Sequence, residues 1–201
     1  MSVRERRVVV ATCLIAGLAL TATVSSCGTP QNDAKQAVLQ IGAIPDQNPE
    51  KLNRLYGTLS AELSAKLDVP GRYAPVSNYA AAVSAFRTGS LDLVWFGGLT
   101  GVQARLQTPG SRVIAQRDID AEFTSVFIAN GASGLRPFTT ADQLVELKGR
   151  RLAFGSESST SGRLMPQFFM GENGGKPEDL EGGGPGFSGS HDATVAVVQS
   201  G

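Results

Sequence analysis

The chain is poor in the residues that most often disclose a chemistry. Of its 201 residues, two are cysteine, one is histidine and one is tryptophan. Cys13 falls in an apolar N-terminal stretch and Cys27 just after it, so the body has no pair for a disulfide and no zinc-type spacing. It has to hold together by burial alone. An excess of one charge is missing too, with 18 basic and 18 acidic residues. Without a basic stripe or interleaved aromatics, nucleic acid is not the expected partner. No apolar run reaches the about 20 residues of a comfortable membrane span. No Gly-Lys-Ser/Thr follows a glycine-rich turn, so a nucleotide phosphate loop is absent. No metal and no cofactor is expected.

What is present begins at the N-terminus. Arg4, Arg6 and Arg7 precede an apolar stretch from Val8 to Leu20, and Val24-Ser25-Ser26-Cys27 follows. A positive segment, an apolar segment and small residues before a cut site read as a secretory signal over 1–26. Small residues directly before a cysteine resemble the lipobox of bacterial lipoproteins. That implies cleavage before Cys27, lipidation of its sulfur and membrane attachment on the outer face of the cytoplasmic membrane, the periplasmic side. The alternative is a plain signal with an incidental cysteine. Removing 1–26 takes three arginines and one glutamate, leaving 15 basic against 17 acidic residues. Residues 27–37 are polar and read as a tether.

From Val38 to Ile44 an apolar run predicts a buried strand. Asn48-Pro49 is a helix start, and Leu52, Leu55, Tyr56, Leu59, Leu63 and Leu67 recur at spacings of three and four. Pro70 ends that helix. Arg72 to Val76 predicts a second strand, and Tyr79, Ala82, Val83 and Phe86 a second helix closed by Gly89. Leu91 to Phe96 predicts a third strand and Thr100 to Leu106 a short helix. Arg112 to Gln116 and Thr124 to Ala129 predict a fourth and a fifth strand, and Thr140 to Leu147 a helix with a hydroxyl cap. Strands alternating with helices mean an α/β architecture with mainly parallel strands. Ligands of such sheets sit beyond the carboxyl ends of the strands, so the loops after Ile44, Val76, Phe96 and Gly155 matter most. Gly174 to Gly189 is glycine-rich and reads as a loop before the apolar stretch Ala193 to Val198. The stop at Ser200-Gly201 is abrupt.

The strongest local signal is Ser156-Glu157-Ser158-Ser159-Thr160-Ser161-Gly162. It follows the apolar segment Arg151 to Gly155 and opens a helix-like segment, Arg163 to Phe169. The first amides of a helix lack an intrahelical partner and carry the positive end of its dipole, so this turn suits an oxyanion. The hydroxyls of Ser159, Thr160 and Ser161 would add neutral donors. The plainer reading is a hydroxyl-rich helix cap. His191, beside Ser190 at a helix start, is either an anion contact or a loop histidine satisfied by backbone. Tyr79 and Phe96 are cleft or core aromatics, Trp95 fits core or surface better than ligand, and Glu157 should face out. Gly186-Phe187-Ser188-Gly189-Ser190 approaches the Gly-x-Ser-x-Gly elbow of serine hydrolases, with His191 and Asp192 adjacent. Its final glycine is missing, and neighbours in sequence rarely supply a triad.

These segments resemble the phosphonate-binding branch of periplasmic solute-binding proteins. The resemblance runs from Ile41-Gly42-Ala43-Ile44-Pro45 to the end. It rests on Asn78-Tyr79, Leu91 to Gly97, Ser158-Ser159-Thr160-Ser161-Gly162 and Ser190-His191-Asp192. Within that branch, Trp95 to Gln103 and Phe187 to His191 resemble a subgroup assigned to selenate import. The resemblance implies a periplasmic-binding-protein-like fold of type II with two α/β lobes, the first over 38–129 and a partial second over 130–201. It implies a solute-binding lipoprotein, not an enzyme, that captures a tetrahedral oxyanion between lobes and delivers it to a permease driven by an ATPase. Tyr79, Phe96, Ser159, Thr160, Ser161 and His191 would line the site. Phe96 stands where better-known phosphonate binders carry a hydroxylated aromatic, so one donor is missing. Members of the branch continue past the position of Gly201, completing the second lobe. A truncated, non-transporting fragment of such a protein is therefore the alternative, with a serine hydrolase more remote.

Overall fold

The computed structural model describes residues 37–201. The signal, the lipidation site at Cys27 and nearly all of the tether lie outside the described residues.

The first strand, β1, spans Leu39–Ala43, and its last three residues are buried. Helix α1 (Pro49–Leu67) starts where the Asn48 carboxamide accepts from the Glu50 and Lys51 amides, with proline at a position that needs no amide hydrogen. Its core face is narrower than the leucine spacing predicts. Leu52, Tyr56 and Ser60 are buried, whereas Leu55 and Leu67 are exposed. A single thin sheet covers only one side of a 19-residue helix. The chain continues through β2 (Gly71–Tyr73), α2 (Tyr79–Arg87, capped by the Asn78 carboxamide), β3 (Leu93–Trp95) and α3 (Gly98–Gln107). The three strands form one parallel sheet in the order β2-β1-β3. Two apolar clusters flank it: Ala43, Leu52 and Tyr56 on one side, and Ile44, Tyr79 and Ala82 on the other.

Beyond α3 the expectations part from the structure. Residues 112–116 and 124–129 form no strand, and Val113, Ile114, Val126 and Ile128 are exposed, Val126 at 85%. Alternating β-branched residues favour an extended chain, but a strand exists only where a neighbour accepts its ladder. None of the described residues pairs with these segments. Ala141–Leu147 is a 3-10 turn instead of an α-helix. The Thr140 hydroxyl bonds the Gln143 side chain at 2.9 Å and does not cap the backbone.

A second, two-stranded parallel sheet joins β4 (Ala153–Phe154) and β5 (Gly186–Phe187). β4 leads through a wide π-turn, Thr160–Leu164, into α4 (Met165–Glu172), and β5 leads into α5 (His191–Ser200). Leu144, Leu147, Phe154, Met170 and Leu180 form the core here. Among the described residues no helix is long and apolar enough to cross a membrane, and no cluster of metal-ligating side chains is present.

Candidate functional site

Because β4 and β5 are parallel neighbours, the turns that follow them emerge side by side. This is why residues 159–162 and His191, some thirty positions apart, meet. A methyl group placed on Gly162 would lie 2.9 Å from Ser159 Oγ and 3.4 Å from His191 Cε1. The absent side chain is what lets the imidazole rest on the turn. The carboxyl ends of β1 and β3 face the same place. Leu99, in the first turn of α3, donates its amide to Thr160 Oγ1 at 2.7 Å. Gly98 permits that approach, since a Cβ there would sit 3.1 Å from Thr160 Oγ1.

The turn itself is held by its own polar groups. Ser159 is buried, and its hydroxyl accepts from the Gly162 amide at 2.9 Å. Leu164 donates to the Ser159 carbonyl, and Ser159 donates to the Ser156 carbonyl. Ser125 Oγ donates to the Ser161 carbonyl at 2.8 Å. The wide winding over Thr160–Leu164 leaves the amides of Thr160 and Ser161 at the open end of the turn, with no partner among the described residues. Ser159 Oγ and Thr160 Oγ1 each already accept from a backbone amide, so each retains a hydroxyl proton for another acceptor. The combination offers donors and almost no acceptors, as an oxyanion requires.

Tyr79, Phe96, Ser159, Thr160, Ser161 and His191 all line one broad cavity, joined by Asp46, Gly97 and Gly98. Tyr79 is 2% exposed. Burial chiefly, and the Asp46 charge next, push its phenol up to about 12, with the adjacent Ser159 hydroxyl pulling the other way. It is a neutral donor at any physiological pH. Phe96 packs with Ile44, Tyr79 and Ala82 and meets Phe86 edge-on at 5.7 Å, so it serves the core and the cavity wall together. Trp95 packs against the other cluster and carries the Arg117 guanidinium at 5.4 Å from its ring. Glu157 is exposed. Arg163 is not among the lining residues.

Asp46 is the participant that residue types did not single out. Burial raises its carboxyl, the facing His191 opposes that rise, and Oδ1 is buried without a partner. Its place after β1, in a loop expected to matter, was the available clue. Ser188, the serine of the elbow-like run, is occupied. Its hydroxyl bonds the Phe154 carbonyl at 3.0 Å and Thr194 Oγ1 at 2.6 Å. A hydroxyl so engaged is a brace between β4 and α5, not a nucleophile poised beside a base.

Residues 41–201 match the family described as ABC transporter, phosphonate, periplasmic substrate-binding protein. The chain belongs to this family. It is 57% identical over 164 residues to the probable ABC transporter phosphite binding protein PhnD1 of Prochlorococcus marinus, covering 82% of this chain and 55% of that protein. It is 25% identical over 163 residues to the phosphonates-binding periplasmic protein of Escherichia coli, covering 78% of this chain and 47% of that one. The structure of P. marinus PhnD1 in complex with methylphosphonate superposes with a TM-score of 0.80, covering 81% of this chain and 60% of that one. A binding protein component of an ABC phosphonate transporter from Pseudomonas aeruginosa, 20% identical, shares the fold with a TM-score of 0.64 over 81% of this chain and 54% of that one. The fold is the α/β fold of type II periplasmic binding proteins, and the family is one of substrate-binding proteins of ABC transporters. The chain spans about half to three fifths of the length of these relatives.

Proposed function

We propose that this chain forms most of the oxyanion seat of a solute-binding lipoprotein that serves an ABC importer. Its ligand is a small tetrahedral anion of the phosphite or phosphonate type. Phosphate, selenate and sulfate are the competitors against which it has to discriminate. The observation that carries the reading is the Ser159-Thr160-Ser161 turn. Its hydroxyls accept from the Gly162 and Leu99 amides and so keep their protons for a ligand, while His191 stands against Gly162. The relative's methylphosphonate complex and its 57% identity support the same choice of ligand class.

On this reading, residues 38–129 and 130–201 belong to two lobes. The anion docks on the turn, Tyr79 and His191 close on it, and closure presents the form that the permease recognises. Phe96 supplies an apolar wall suited to a P–H or P–CH3 face. Each hydrogen bond to a charged group contributes roughly 1.5–3 kcal/mol. Three or four reach about micromolar affinity because the turn is preorganised by its own amides. Residues 1–26 are the export signal, 27–37 the tether, and Cys27 the lipid anchor on the periplasmic face of the cytoplasmic membrane.

Calorimetric titration of the full-length protein with phosphite, methylphosphonate, phosphate, sulfate and selenate tests the assignment. The double change Ser159→Ala with Thr160→Ala is expected to weaken phosphite or methylphosphonate at least about tenfold, a loss of about 1.4 kcal/mol. Equal affinities in variant and parent overturn it. A second reading, that residues 1–201 are a non-transporting piece, is favoured by the exposure of Val113, Ile114 and Val126. The chain as given then binds far more weakly than the full length of its relatives and takes up an apolar dye. A sharp cooperative melt with low dye binding rules that reading out.

A further inference from the structure

The β1–α1 loop and the first turn of α5 are fastened by a reciprocal pair of hydrogen bonds. The His191 amide donates to the Asp46 carbonyl at 3.0 Å, and the Asn48 amide donates to Asp192 Oδ2 at 2.6 Å. Neither end is consumed by its own helix. The Asn48 side chain caps Glu50 and Lys51, which leaves the Asn48 amide facing away from α1. On α5 the cap is Ser190, whose Oγ accepts from the Ala193 amide at 3.2 Å, so the Asp192 carboxylate is free to reach across. Asp46 and His191 line the cavity, whereas Asn48 and Asp192 are not among its lining residues. The pair thus straddles the cavity wall, with its carboxylate on the outside.

We infer that Asp192 is a positioning residue. Its carboxylate clasps the Asn48 amide and docks the β1–α1 loop on α5, so it favours the closed arrangement of these two elements without touching the anion. The inference rests on the oxyanion-binding reading above and on closure of the two lobes that it entails. The physical content lies in what such a bond can and cannot do. An interaction made only when the two elements are together, and with no ligand atom, shifts the open–closed equilibrium by the same amount whatever is bound. Removing it lowers the affinity for every anion by one common factor. Removing a group that touches the ligand lowers affinities unequally, because phosphite, methylphosphonate and phosphate present different substituents.

The test uses the full-length protein titrated with phosphite, methylphosphonate and phosphate, together with hydrogen exchange of the Asn48 amide. Asp192 is solvent-exposed, so Asp192→Ala is expected to weaken all three anions by one shared factor of about three- to tenfold, with their ranking unchanged. Asp192→Asn keeps an acceptor oxygen and restores most of the loss. The Asn48 amide exchanges slowly in the anion-bound parent and fast in Asp192→Ala. A helix-stabilising role alone would leave that amide unmoved. Affinities equal to the parent's, or losses that differ from one anion to the next, overturn the clasp. Should Asp192→Ala fail to fold, the parent decides alone, since an Asn48 amide that exchanges equally with and without anion overturns it. A parent that binds none of the three overturns the oxyanion-binding reading and the clasp together, whereas a parent that binds all three, with an indifferent Asp192→Ala, sinks the clasp only.

Discussion

Between Leu39 and Gln107 strands and helices alternate without a break, with helices of 19, 9 and 10 residues on a three-stranded sheet. From residue 112 onward the strands are two residues long, several turns are 3-10, and apolar side chains stand in solvent. Both regions nevertheless supply the candidate site, Tyr79 and Phe96 from the first and the hydroxyl turn and His191 from the second. The difference teaches that site geometry here does not depend on extensive regular structure. Two parallel residues per strand suffice to bring two helix-opening turns together, provided the turns brace themselves with their own amides and hydroxyls.

The largest effect should come from the slighter of the two cores. Phe154 is 3% exposed within the Leu144–Leu180 cluster, so Phe154→Ala should cost about 3–5 kcal/mol. Amide exchange should then rise over 141–187 while 39–95 stay protected. Equal loss in both stretches would show one cooperative unit and erase the contrast. Next in size is Gly162→Ala, whose methyl group would meet Ser159 Oγ and His191 Cε1. It should weaken anion binding about tenfold or more with little change in melting temperature, because the strain falls on the seat and not on the core. An unchanged affinity would mean that the imidazole does not rest on the turn when ligand is bound.

A smaller effect concerns pH. The native Asp46 carboxyl is raised by burial above its ordinary 3.8, so the folded state holds that proton more readily than the unfolded chain. Stability from this group therefore falls as pH rises from 3.8 through the raised native value. Asp46→Asn should remove that decline and leave a slightly higher melting temperature at neutral pH, and a parallel decline in both proteins would refute the assignment. The smallest effect is expected at Val126, which is 85% exposed. Val126→Thr in the chain as given should shift stability by no more than about 0.5 kcal/mol. A larger destabilisation would show that the segment packs in a way its exposure conceals.

The first region was largely legible. Asn48, Pro49, Asn78 and Gly89 punctuate it in the way local chemistry predicts, and the strands alternate with apolar helices between them. The second region was less so. Arg112 to Gln116 and Thr124 to Ala129 have strand composition without a partner to bond, and pairing is a property of two segments, not one. Thr140 to Leu147 has a helix's cap and pattern but winds more tightly, and its cap hydroxyl bonds Gln143 instead of the backbone. In the site, the hydroxyl turn was visible as a run of small polar residues after an apolar strand. Which of its atoms are committed, and to what, was not.

By itself the amino-acid order determined the class of fold and marked the turn on which the proposed oxyanion site rests. Local periodicity sets strands and helices, and hydroxyls with unpaired amides at a helix start prefer negative charge whatever surrounds them. Only the tertiary structure decided which groups meet. The parallel pairing of β4 with β5 brings His191 to Gly162, the approach of α3 leaves Thr160 with a proton to give, and Asp46 and Asp192 come into play because α5 docks on the loop after β1. Contacts between residues far apart in sequence are chosen by packing, and no local pattern encodes them.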